Sequence, residues 1–333
     1  MLAQRYQVIF IPYTRNASLE DLLVESGIDV TDVSDYRWLL KNARAKAAIL
    51  NRPSMAELFT PLIRRLSPDT RLIFDTVDVH FVRLQREYEL TRDADTLSDA
   101  NRHRKLETEL TKAVDVVWCA SIDDKRLLAS EAGEANFEII PTLHEVDRSG
   151  SPFAERSDLL FVGSFLHRPN ADAMLYFVRE IYPLMRLRLP NVVLNIVGAD
   201  PPDELRAYHS AHIRVLGYVP DLMPYLRGSR LFIAPLRYGG AGTKGKVGEA
   251  LAHGLPVVTT SIGAEGFGLR HDVDAAIADD PKQFAATVAD VYNDEPLWQR
   301  LSLNGQRIIE DGFSPASIEA AILRSVDPNN LQK

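Results

Sequence analysis

The sequence is nearly devoid of sulfur chemistry, with one cysteine, Cys119, in 333 residues. An intramolecular disulfide is excluded, and no Cys/His cluster has the spacing of metal ligands. Cys119 lies in the apolar run Val116-Val117-Trp118-Cys119-Ala120, so it reads as a buried strand residue and not as a nucleophile. Long apolar runs are missing too: none approaches the ~20 residues needed to span a bilayer. Met1–Arg5 leads straight into a strand-like segment without the pattern of a signal peptide. The expected compartment is the cytoplasm. Excess positive charge is also lacking, since 38 Lys and Arg face 46 Asp and Glu, for a net charge of −8. That balance argues against a nucleic-acid partner, whose phosphates would be repelled, but it leaves room for a local basic pocket. The run Arg102-His103-Arg104-Lys105 reads as a solvated helix face, with peripheral contact at the inner face of a membrane as its alternative. Internal repeats and low-complexity tracts are absent.

What is present has ordinary globular proportions, 46% hydrophobic and 25% charged. The length suggests two domains, because single cores stop growing near ~250 residues. Short apolar, β-branched runs alternate with helical patterns. In the first half the runs are Gln7–Tyr13, Ala47–Leu50, Arg71–Asp75, Asp115–Ala120 and Phe137–Pro141. In the second they are Asp158–Ser164, Asn191–Gly198, Ile213–Val219, Arg230–Pro235, Pro256–Thr260 and Ala275–Ala278. Between them lie helical patterns such as Met55–Leu66, Phe81–Lys112, Ala171–Arg188 and Glu295–Glu310. The alternation predicts an α/β fold with doubly wound parallel sheets. The polar stretch Glu145–Asp158 reads as a linker, dividing the chain into domains over 1–150 and 151–326. Gln7–Tyr13 has only a stub before it. The expectation is a piece of a longer polypeptide that lacks its first strand–helix unit, with a short N-terminal domain as the alternative. The tail Asp327–Lys333 is expected to fray.

The sharpest chemical signal runs from Pro235 to Pro256. A strand ends at Pro235 and a glycine-rich loop follows, Gly239-Gly240-Ala241-Gly242. A helix then begins at Thr243 as N-cap and stops at Gly254. The free backbone N–H groups of such a helix start form an anion site, strengthened by the helix dipole. Arg237, Lys244 and Lys246 add positive charge. Lys246 and Glu249 share a helix face, which places a carboxylate one turn behind the anion, where it can accept hydrogen bonds from two ribose hydroxyls. A P-loop is rejected, because Val247 stands where a magnesium-binding Ser or Thr would be needed.

This stretch resembles the donor site of the family-4 retaining glycosyltransferases of GT-B fold. The resemblance continues through Phe161-Val162-Gly163-Ser164-Phe165 with Pro169-Asn170, Leu194-Asn195-Ile196-Val197-Gly198, Val215-Leu216-Gly217-Tyr218-Val219-Pro220-Asp221-Leu222 and Thr259-Thr260-Ser261-Ile262-Gly263-Ala264-Glu265-Gly266. It implies two Rossmann-like domains facing a cleft, with the donor held by the second and the last helix packing back on the first. It further implies a donor site of Gly163, Ser164, Tyr218, Val219, Gly240, Ala241, Gly242, Thr243, Lys246 and Glu249. Glu249 would bind the ribose, and Arg237 and Lys244 would neutralise the leaving diphosphate. Two family features are absent. Ala241 stands where a first glutamate is common, and Ser164-Phe165-Leu166-His167-Arg168 lacks the common Arg and Lys pair; His167 and Arg168 are candidate helpers there.

In the first domain, Asp75-Thr76-Val77-Asp78-Val79-His80 begins at the end of a predicted strand, where open α/β sheets bind ligands. The resemblance gives His80 a contact to the donor sugar from across the cleft. Asp75 and Asp78 read equally as sugar ligands or helix caps, and Arg83 as facing the cleft. The remaining histidines, His144 among them, receive no role. The expected reaction is metal-independent and cofactor-free transfer from a nucleoside diphosphate sugar to a glycan or lipid-linked hydroxyl acceptor, in cell-surface polysaccharide or glycoconjugate synthesis. Two alternatives stay open: a degenerate domain serving as a scaffold, and a nucleotide-sugar 2-epimerase.

Overall fold

The computed structural model describes residues 1–328. Fraying expected beyond 328 lies outside the described residues. Asp327, at the head of that tail, is held by Lys46 at 2.8 Å.

Among the described residues, twelve strands form three sheets, all with parallel pairing. β1 (Ile9–Phe10) and β2 (Asp29–Val30) pair only with each other. β3 (Ala47–Asn51), β4 (Arg71–Asp75), β5 (Val116–Cys119) and β6 (Phe137–Ile139) form a four-stranded sheet in chain order. β7 (Ser157–Val162), β8 (Leu194–Val197), β9 (Ile213–Gly217), β10 (Ser229–Ala234), β11 (Val257–Thr259) and β12 (Ala276–Ile277) form a six-stranded sheet in the order 12-11-10-7-8-9. The order reverses between β7 and β10. Open α/β sheets bind ligands outside the carboxyl ends of the strands at such a point.

Alternation along the strands explains why this sheet is covered on both faces. Leu159, Phe161, Leu194, Ile196, Leu231 and Ile233 enter one core cluster, while Leu160, Val197, Phe232 and Ala234 enter another. Each such side chain contributes about 1.5–3 kcal/mol when fully buried. The four-stranded sheet is treated likewise. Leu72, Phe74, Val117 and Cys119 face one cluster, and Ile73, Val116 and Trp118 face the other. Cys119 is fully buried, and burial raises its pKa beyond reach of ordinary pH.

That second cluster is completed by Ile318, Ile322 and Val326 of the last helix, Pro315–Val326. Arg71 donates to the Ser325 carbonyl at 2.7 Å, and Arg324 pairs with Glu138 at 3.2 Å. The chain thus passes from the first sheet to the second through residues 140–156 and returns near residue 313. The first crossing is anchored by Arg156, only 2% exposed. Its guanidinium donates to the carbonyls of Ser151, Leu226, Ser229 and His253 and lies over Trp298.

Two helical expectations are corrected. Phe81–Lys112 is two helices, His80–Thr91 and Ala94–Ala113. Arg92 adopts a left-handed conformation at φ 56°, and Asp93 then caps the second helix by accepting from the Thr96 amide. Ala171–Arg188 is a helix over Arg168–Tyr176, one π turn over Phe177–Ile181 and a short helix over Tyr182–Arg186.

Candidate functional site

β10 delivers the chain to the crevice, and the helix after the glycine-rich loop runs over Gly245–Ala252. Its N-cap is Lys244 and not Thr243, whose buried hydroxyl has no partner. The Lys244 carbonyl accepts from the amides of Val247 and Gly248. Among the described residues, the amides of Gly245 and Lys246 find no acceptor, as expected of a helix start. The helix ends where His253 closes it and Gly254 turns the chain at φ 60°.

Gly245 and Lys246, which carry these amides, line a cavity of about 380 Å³. It is also lined by Glu249 of the same helix, by Val162 and Gly163 after β7, and by Thr142, Leu143 and His144 of the linking segment. The Lys246 ammonium lies 5.3 Å over the Phe161 ring and is hydrogen-bonded to the Asn170 side chain. Burial, reinforced by the nearby charge of Lys244, lowers its pKa to about 7. An anion entering the cavity would reverse that effect.

Glu249 stands one turn deeper. Its Oε2 accepts from, or pairs with, His144 Nδ1 at 3.1 Å, and its Oε1 lies 3.6 Å from His253 Nδ1. The His144 bond, acting against burial, lowers the Glu249 pKa. His144 is 6% exposed. The sequence assigned it no role, and nothing in its aperiodic surroundings signals that it would meet Glu249.

The glycine-rich loop does not line this cavity. It is pressed instead against the N-terminal half. A Cβ on Gly240 would lie 3.0 Å from that of Asp78, and one on Gly242 would lie 2.5 Å from Asp124 Oδ2. Ala241 is buried in the core of the four-stranded sheet, and its carbonyl accepts from Ser121. Lys244 turns away from the cavity. Its ammonium donates to the carbonyls of Gly240 and Gly242 at 2.8 and 2.6 Å and pairs with Glu265 at 3.5 Å. Burial lowers its pKa, opposed by Glu265. Arg237 is tied to Asp172 through Nε at 2.9 Å and stacks over Tyr176. The Asp172 bond raises its pKa.

Ser164 is exposed, and its carbonyl accepts from Asn170. Tyr218 is 75% exposed on the loop after β9, whereas Val219 packs on the core beside Leu160. Arg168 crosses to Glu87 at 2.9 Å.

On the opposite side, His80 opens its helix with Nδ1 3.3 Å from Asp78 and 3.5 Å from Glu107, and its ring stacks on His103. Burial lowers its pKa, but Glu107 and Asp78 outweigh that and the net shift is upward. Asp78 also pairs with Arg83 at 3.2 Å. Neither Asp75 nor Asp78 caps this helix; the Glu107 carboxylate does, accepting from the amides of His80 and Phe81. Asp75 accepts from Asn51 and from the Val77 amide, and burial raises its pKa to about 6. Val77, between Asp75 and Asp78, sits at φ 63°, a strained conformation for a β-branched residue.

Residues 156–294 match the family model of the glycosyl transferases group 1. The structure is similar to HepE from Anabaena, solved in complex with UDP and glucose, with a TM-score of 0.73 and 14% identity over 96% of this chain and 91% of that one. It is also similar to TarM, with a TM-score of 0.69 and 14% identity over 87% of this chain and 57% of that one. These likenesses identify the frame as the GT-B fold. A curated relative, an uncharacterized 44.6 kDa protein in the cps region of Klebsiella pneumoniae, is 25% identical over 176 residues, or 50% of this chain and 45% of its own length. The chain thus spans less than half of that relative.

Proposed function

We propose that this glycosyl transferase of group 1, built on a GT-B frame, moves a sugar from a nucleoside diphosphate sugar to a hydroxyl acceptor with retention of anomeric configuration. Cell-surface polysaccharide or glycoconjugate synthesis is the proposed setting, and the cps-region relative supports it. One observation carries the reading. Gly245 and Lys246, whose amides are unpartnered, line one cavity together with Glu249, one turn further along the same helix. A diphosphate would meet the amides and Lys246, and a ribose would reach Glu249. UDP is the first base to test, because HepE was solved with it.

The difficult step is departure of the nucleoside diphosphate, whose β-phosphate gains charge as the glycosidic bond breaks. Fixed N–H dipoles and cations oppose that charge, and such stabilisation is generally the largest catalytic term. In this reading no metal is needed, and the departing phosphate accepts the proton of the acceptor hydroxyl. Closing the crevice would exclude water and limit donor hydrolysis. The acceptor belongs on the side of Asp75, Asp78 and Arg83, and His80 faces the sugar.

A second reading, a binding or scaffold module, is favoured by one feature: the Lys244 ammonium and the Arg237 guanidinium are both spent on internal partners. Thermal shift against UDP-, GDP-, ADP- and dTDP-sugars, followed by donor turnover with and without glycan acceptors, separates the two. Sugar nucleotide consumed only when acceptor is present supports transfer. Binding without consumption supports the scaffold. Exchange at sugar C2 in deuterated water without acceptor would point to epimerisation. No stabilisation by any sugar nucleotide would overturn the site.

A further inference from the structure

Glu249 carries its carboxylate on a flexible side chain at the edge of the cavity, with 40% of that side chain exposed. A free glutamate there would sample several rotamers and lose entropy on meeting two hydroxyls. It is not free. The His144 ring takes its Oε2 at 3.1 Å, while among the described residues Oε1 makes no hydrogen bond and lies 3.6 Å from His253 Nδ1. His144 is itself rigid. Its backbone amide donates to the Phe313 carbonyl at 2.9 Å, and the Nε2 edge of its ring lies against the helix at Gly248, where any Cβ would overlap the imidazole. The absence of a side chain at position 248 is what lets the ring reach Glu249. A second linker residue closes the arrangement from behind: Asp147 lies 3.9 Å from His253 Nε2, and His253 Nδ1 contacts the Glu249 carbonyl at 2.9 Å. Of the segment joining the sheets, His144 therefore touches the carboxylate directly, and Asp147 reaches Glu249 only through His253.

We infer that His144 is the positioning residue for Glu249, and that through it the segment joining the two sheets takes part in recognising the ribose of the donor. The inference rests on Glu249 being the ribose-binding carboxylate. His144 does not touch the nucleotide's reacting atoms. It fixes one carboxylate oxygen so that the other, and the remaining lone pair of the first, point at adjacent hydroxyls. Because the linker is one of the two crossings that join the sheets, ribose contact and the relative position of the sheets become coupled through the His144–Glu249 hydrogen bond.

The test compares the affinities of UDP, GDP and ADP with those of their 2′-deoxy counterparts by calorimetry, in the whole chain and in Glu249→Ala, His144→Leu and His144→Asn. Asparagine places an amide nitrogen where Nδ1 of the imidazole lies. The unaltered chain should prefer the ribose form of the diphosphate it binds by about tenfold, as expected for a hydrogen bond to a charged group. Glu249→Ala and His144→Leu should bring that ratio close to one, and His144→Asn should keep most of it. A His144→Leu variant that discriminates as well as the unaltered chain would overturn the inference and leave the ribose site standing. Loss in both His144 variants at unchanged melting temperature would assign the effect to ring packing and overturn the hydrogen-bond route. Lack of ribose preference in the unaltered chain would remove Glu249 from the site, and the inference with it.

Discussion

Arg86, on the N-terminal side of the crevice, grips both oxygens of Glu265 at 2.8 Å and also reaches the carbonyls of Gly239 and Gly240. One guanidinium thus binds the glycine-rich loop and the loop after β11, and Lys244 shares the same carboxylate. The clamp holds the loop against the first sheet while the helix after it faces the cavity.

Arg86→Ala should therefore loosen the loop as well as remove a partly buried pair. The expected loss is about 1–2 kcal/mol, which would lower the melting temperature by a few degrees in a chain of this size. Nucleotide affinity should fall with it. An unchanged melting temperature would show that the clamp carries no net stability.

Lys246 offers a thermodynamic signature. Its pKa of about 7 means that the ammonium is mostly neutral at pH 8.5 in the free protein. A bound diphosphate favours the charged form, so binding at that pH should take up about one proton. Calorimetry in buffers of different ionisation enthalpy measures that number directly. Lys246→Met should abolish the uptake, and a proton count of zero in the unaltered chain would place the diphosphate elsewhere. In the free protein the sign is opposite to that of an ion-paired lysine. Its folded pKa lies below the ordinary 10.5, so the unfolded chain binds more protons between about pH 7 and 10.5, and stability rises through that window.

Asp124 is fully buried against Gly242, neither oxygen has a hydrogen-bond partner among the described residues, and burial raises its pKa to about 7. A carboxyl whose folded pKa exceeds its ordinary 3.8 becomes a growing liability as pH climbs from 4 to 7. Asp124→Asn should stabilise the protein by about 1–3 kcal/mol at pH 8 and change little at pH 4. Denaturant midpoints at the two pH values test this, and equal effects at both would contradict the buried-charge explanation.

Arg237 is held by Asp172 and Tyr176 beside the crevice and not within the cavity. If it serves the leaving group, it does so after exchanging partners. Arg237→Ala should then lower kcat about tenfold or more while leaving donor KM nearly unchanged. A normal kcat would restrict it to the structural pair with Asp172.

The strands were the most legible part of the sequence. β4, β5 and β10 contain short continuous apolar runs because both faces of their sheets are covered, and such runs bounded by polar or turn residues read as buried strands. The break at Arg92–Asp93 was hidden because a left-handed arginine has no compositional mark, and Asp93 capping at Thr96 looks like one more polar pair on a helix face. Lys246 and Glu249 were readable from the order strand, glycine loop, helix, and the structure gathers them with Gly245, which the sequence had not singled out, at one cavity. The destination of the loop itself was not readable. Glycines announce a close approach, but only the packing reveals that Gly240 and Gly242 approach Asp78 and Asp124. His144 was invisible for a related reason, since its partner lies 105 positions away and its own neighbours carry no period.

The return of the final helix to the four-stranded sheet has a mechanical consequence. A lobe tethered once can swing and twist freely, whereas this pair is tethered twice, through residues 140–156 and again near 313. Two tethers define a line, and rotation about that line is the motion that stretches neither. Opening of the crevice is thereby reduced toward a single degree of freedom, and a cut in either tether would restore the others.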